Sequence, residues 1–115
     1  MSQDETVVVV PEEEIYDKIE KAILAIPEVS HFTSEGFQDL LSGIGQAFGY
    51  KGHKGLLLRR SKEEGIKVDI SLALHKNCRV IETARYVQMV VRNLLLSVTD
   101  EKISGIDITI TDLVN

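Results

Sequence analysis

What this sequence lacks narrows it first. It carries a single cysteine, Cys78, in 115 residues. No disulfide can form within such a chain, and a lone thiol suits a reducing compartment. Apolar runs are short, Val7 to Val10 among them, and none approaches the roughly 18 residues of a membrane-spanning helix. The opening Met1-Ser2-Gln3-Asp4-Glu5 has no basic region followed by an apolar one, so it does not read as a secretory signal. Also missing are the G-x-x-x-x-G-K-[ST] phosphate loop, the H-E-x-x-H zinc helix and the C-x-x-C pair. The length fits one domain over residues 1–115, with 1–6 expected as a disordered tail, and leaves no room for a two-lobed enzyme.

What is present suffices for a folded core. Hydrophobic residues make up 43% and charged residues 27%, outside the composition of disordered chains. The net charge of −5 speaks against a dedicated nucleic-acid binder, but it is unevenly placed. Residues 1–20 carry −6, residues 21–62 carry +3 and residues 63–115 carry −2. Within 51–62 stand five bases, Lys51, Lys54, Arg59, Arg60 and Lys62, and no acid. Such a run reads as a solvated loop and strand, or as a contact site for an acidic partner or anionic membrane surface.

The hydrophobic pattern sets an order of elements. Val7 to Val10 reads as a strand of β-branched residues. Pro11 suits a first helical turn, and Glu12, Glu13 and Glu14 suit the positive end of a helix dipole. Ile15, Ile19, Ala22 and Ile26 share a helical face that Pro27 ends. Residues 28–35 read as a polar connection. Phe37, Leu40, Leu41, Ile44 and Phe48 predict a second helix, which Gly43 and Gly45 weaken.

Leu56 to Lys62 then reads as a strand, and Lys62-Glu63-Glu64-Gly65 as a hairpin turn. Ile66, Val68, Ile70, Leu72 and Leu74 alternate strictly with polar or small residues, which predicts a strand with one buried and one wet face. Asn77 is placed to cap the longest helix, residues 79–98, whose inner stripe is Val80, Ala84, Val87, Val91, Leu94, Leu95 and Val98. Met89 and Leu96 fall on its outer side with Arg85 and Arg92, a contact ridge if not scattered surface residues. Ile106, Ile108 and Ile110 mark a last strand. The order β-α-(α)-β-β-α-β predicts an α+β fold: a two-layer sandwich, mainly antiparallel, with helices on one face of the sheet.

Chemistry-bearing residues do not assemble along the sequence. His75 and Cys78 are three apart but straddle a turn, and His31 and His53 have no carboxylate at ligand spacing, so no metal or other cofactor is expected. Lys67, Asp69 and Ser71 with Asp107, Thr109 and Thr111 would line the open sheet face, the one place for an acid/base couple. Gly49-Tyr50-Lys51-Gly52 matches the G-x-x-G loop with which KH domains clamp a nucleic-acid backbone, with Lys54 adding charge. In KH folds that loop joins two helices; here it precedes a strand.

Taken in order, several segments resemble the bacterial alkaline shock proteins, also called the envelope stress response family, over about residues 7 to 114. They are Ala25-Ile26-Pro27-Glu28-Val29, the Gly-rich stretch ending in Lys54-Gly55, the strand Gly65-Ile66-Lys67-Val68-Asp69-Ile70-Ser71-Leu72, the helix start Val80-Ile81-Glu82-Thr83-Ala84-Arg85 with Val87-Gln88, and Ile106 to Ile110. Cys78-Arg79 stand where the family usually has a proline, and Ser34-Glu35-Gly36 keeps fewer glycines. The resemblance implies a non-enzymatic cytoplasmic domain, peripheral at the inner face of the membrane through a partner such as a small membrane-anchor protein. The expected function is therefore a self-associating interaction domain linked to envelope stress or upkeep. Its contact residues would be Arg85, Met89, Arg92 and Leu96 on the ridge and Lys51, Lys54, Arg59 and Arg60 in the basic run. The alternatives are nucleic-acid binding through Gly49 to Lys54, and a small enzyme on the open sheet face.

Overall fold

The computed structural model describes residues 10–34 and 53–115. Their order is α1 (Glu12–Leu24), β1 (Val29–Phe32), β2 (Leu56–Ser61), β3 (Gly65–His75), α2 (Val80–Val98) and β4 (Ile103–Val114). The fold is α+β, with two helices packed on one face of a four-stranded sheet. The expected strand at Val7–Val9, the helix over 36–49 and the tail 1–6 lie outside the described residues. Val10 belongs to no strand and packs partly buried against the core.

β3 is the spine of the sheet. One edge pairs antiparallel with β2 over residues 65–70 and, further along, with β1 over 72–74. Its other edge pairs parallel with β4. The sheet is thus mainly antiparallel with one parallel pairing, which α2 makes possible by carrying the chain back across the sheet face. The five alternating residues Ile66, Val68, Ile70, Leu72 and Leu74 are all 0% exposed. They meet Ile15, Ile19 and Ile23 of α1 and Val87, Val91 and Leu95 of α2 in a single core. Removing each such side chain from water contributes about 1.5–3 kcal/mol before chain entropy is counted.

Four expectations need correction. Residues 29–32 are a strand rather than part of a polar connection, because the free edge of β3 beyond β2 recruits them. In α1 the third core position is Ile23, and Ala22 sits only at the core's margin. Asn77 does not cap α2. It takes φ 72, a left-handed conformation asparagine tolerates, and the chain reaches helical geometry only after Arg79, the N-cap. Finally, the sheet face away from the helices is not simply wet, since Asp69, Ser71 and Ala73 are buried there.

Around Ser71 the reason for that burial is visible. Thr33 Oγ1 lies 2.8 Å from Ser71 Oγ and 2.7 Å from Thr111 Oγ1, so the residue just after β1 joins hydroxyls of β3 and β4 in one chain of hydrogen bonds. The backbone closes at the same residue. Thr33 N–H donates to Ser71 C=O and Ser71 N–H donates to Gly55 C=O, both at 2.9 Å. β1 and β2 therefore run in the same direction along one edge of β3, and the chain between them leaves and returns beside Ser71.

Candidate functional site

The ridge on α2 is present as an exposed surface. Its inner stripe is consumed by the core, and at about 100° per residue the opposite side follows from that. Met89 is 49% exposed and Leu96 60%, and Arg85 and Arg92 are exposed beside them. Two further apolar residues that the stripe analysis missed join this side of the helix, Ile81 at 68% and Tyr86 at 49%. Taking Met89 as origin, Glu82, Arg85, Asn93 and Leu96 fall within about 40° of it, and Tyr86 and Arg92 within about 60°. The helical wheel already holds that grouping. Only the exposure of Ile81, next to the partly buried Val80, needed the structure. At the N-terminal end of the ridge a cleft of about 550 Å³ opens between Glu28 of the α1–β1 turn, the N-cap Arg79, and Glu82 and Tyr86 of α2. Cys78 borders the cleft and is partly buried against the core.

The basic run behaves differently. Strand alternation sends Arg59 and Arg60 to opposite faces of the sheet. Arg59 Nη2 donates to Asp69 Oδ2 at 2.7 Å, and Arg59 Nε to the same oxygen at 3.1 Å. Arg60 Nε donates to Glu101 Oε1 at 3.1 Å. Lys54 is exposed, and Lys51 lies outside the described residues, as do Gly49 to Gly52. Two of the four bases are thus engaged within the chain, and the described ones do not converge on one surface.

On the face away from the helices, the carboxylates come in matched pairs with cations. Asp69 holds Arg59, and Asp107 Oδ2 lies 3.0 Å from Lys67 Nζ. Asp69 and Asp107 are opposite one another in the β3–β4 register. Each carboxylate is thus paired with a cation on the same sheet face.

One constellation was invisible in the sequence. His53 lies just before β2, and its side chain is 10% exposed. Its ring stacks on Tyr16 of α1, with centroids 4.9 Å apart and planes 19° from parallel. Three carboxylates of α1 surround it. Glu20 Oε1 is 3.4 Å from Nδ1, while Asp17 Oδ1 and Glu13 Oε2 are 3.6 and 3.7 Å from Nε2. Tyr16 is fixed in turn, its hydroxyl oxygen accepting the Leu58 N–H of β2 at 2.9 Å. His53 does have carboxylates at ligand distance, contrary to the expectation from spacing, because they come from an element some thirty residues away.

In comparisons with known proteins, no protein-family model, no curated protein and no solved structure matches the chain. Among the described residues no helix is long and apolar enough to cross a membrane.

Proposed function

We propose that this chain is a non-catalytic interaction domain that associates with a second copy of itself through the outer face of α2. The observation that carries the reading is the arrangement of that face about Met89. Ile81 and Leu96 lie eight and seven residues to either side of it. Two α2 helices related by a two-fold axis normal to both at Met89 cross antiparallel, which brings each Leu96 toward the Ile81 end of its partner. Arg85 and Arg92 lie on one flank of the face and Tyr86 and Asn93 on the other, so polar groups border the apolar residues on both sides. An apolar centre with a polar rim is the anatomy of a protein interface.

The resemblance to alkaline shock proteins supports a role in envelope stress or upkeep, with membrane contact made through a partner. The engagement of Arg59 and Arg60 within the chain favours the ridge over the basic run as the contact surface. Sedimentation equilibrium tests the proposal. The wild-type chain is expected to form dimers, and Met89→Asp or Leu96→Asp to leave monomers with unchanged helical circular dichroism, since both residues are exposed. A wild-type chain that stays monomeric at high concentration, or dimers that survive both substitutions, would refute it.

A further inference from the structure

We infer that Asp17, Glu20 and His53 form a binding site for a divalent first-row transition-metal ion, Mn²⁺ through Zn²⁺. One ligand atom from each of the three lies within 4.8 Å of the others. Metal–ligand bonds of about 2.0–2.2 Å place tetrahedral neighbours roughly 3.3–3.6 Å apart and octahedral ones roughly 3–4.4 Å apart. The separation of 3.4 Å between His53 Nδ1 and Glu20 Oε1 falls within that range. It suits a hydrogen bond poorly, since those to nitrogen centre near 2.9 Å and rarely exceed about 3.2 Å. Among the described residues no group hydrogen-bonds either ring nitrogen, although the side chain is nine-tenths buried and aimed into the carboxylates.

The supporting shell is built as well. Asp17 and Glu20 are three apart on α1, which puts both on one helix face. Tyr16 stacks on the imidazole and is locked by the Leu58 N–H, so the ring's orientation is held before any ion arrives. One nitrogen and two carboxylate oxygens without a thiolate favour borderline divalent ions over Mg²⁺ and Ca²⁺, which prefer all-oxygen shells. Glu13, Asp17 and Glu20 have side chains 60%, 56% and 38% exposed, so the ion is reached from solvent and keeps water in its remaining positions. Bound there, it ties the start of β2 to α1.

The test is calorimetric titration of the chelator-stripped full chain with Zn²⁺ and Mn²⁺, with Mg²⁺ and Ca²⁺ as comparators. One equivalent of Zn²⁺ or Mn²⁺ is expected to bind, and Asp17→Asn, Glu20→Gln and His53→Gln each to weaken it by about tenfold or more. Cys78→Ser and His75→Gln should leave the affinity unchanged. The Co²⁺-loaded chain should show d–d absorption without a thiolate-to-metal charge-transfer band. Asp17→Asn and Glu20→Gln alter an exposed and a half-buried helix position and keep each side chain's shape, so they keep the test decisive if His53→Gln fails to fold. Absence of stoichiometric binding, binding untouched by Asp17→Asn and Glu20→Gln, or binding lost in Cys78→Ser would overturn the inference.

Discussion

Replacing Gly55 by alanine probes the place where β1, β2 and β3 meet. Gly55 has φ +74, where an L side chain is strained by roughly 1–2 kcal/mol. A Cβ there would also run into the Thr33 carbonyl oxygen, and would lie 2.8 Å from Ser71 O and 3.0 Å from Phe32 Cβ. Neither carbonyl can retreat freely, because Thr33 and Ser71 are tied by the backbone hydrogen bonds that join the strands. Loosening one such bond costs about 0.5–1.5 kcal/mol. The two terms together give a loss of about 3 kcal/mol, a large share of the roughly 5–15 kcal/mol that stabilises a domain. For a chain of this size that lowers the melting temperature by about 10 °C. Gly105→Ala is the matched control. Its Cβ would meet only the Lys67 side chain at 3.7 and 3.8 Å, in ordinary contact. Thermal unfolding followed by circular dichroism should show Gly55→Ala far below wild type and Gly105→Ala within about 0.5 kcal/mol of it. Equal melting temperatures for the two variants would show that the junction at Ser71 is not rigid.

Two other substitutions test the layers around that junction. Leu95 is 0% exposed and Leu96 60%, so denaturant titration should show Leu95→Ala losing about 2–5 kcal/mol while its neighbour Leu96→Ala changes stability by about 0.5 kcal/mol or less. Tyr16→Phe keeps the buried ring but leaves the Leu58 N–H without its acceptor. Chemical denaturation should register a loss of about 1–3 kcal/mol, and hydrogen exchange at Leu58 should quicken.

Parts of the architecture that rest on long periodic patterns could be read from the residues alone. The alternation from Ile66 to Leu74 and the helical stripe through Val87, Val91 and Leu95 need no tertiary information, and both stand at 0% exposure where expected. β1 escaped because Val29-Ser30-His31-Phe32 is too short to show a period, and it becomes a strand only through the edge of β3 that it completes. The direction of β4 is likewise a property of the pairing rather than of Ile106, Ile108 and Ile110, whose alternation is the same in either sense. Met89 and Leu96 were identifiable as a ridge from spacing, since a helix fixes the angle between residues. His53 was not connected with Asp17 and Glu20, because no local rule links a residue before one strand to a helix that the chain left long before.

The meeting of Thr33 and Gly55 on a single residue also says something about how this chain tolerates change. As far as β3 is concerned, β1 and β2 are one strand with a nick in it, and everything from residue 34 to residue 54 is spliced into that nick. The pairing on either side closes at Ser71, whose C=O accepts from Thr33 and whose N–H donates to Gly55. Any exchange of that segment is constrained at its downstream end, which must still deliver His53 to α1 and a glycine to position 55.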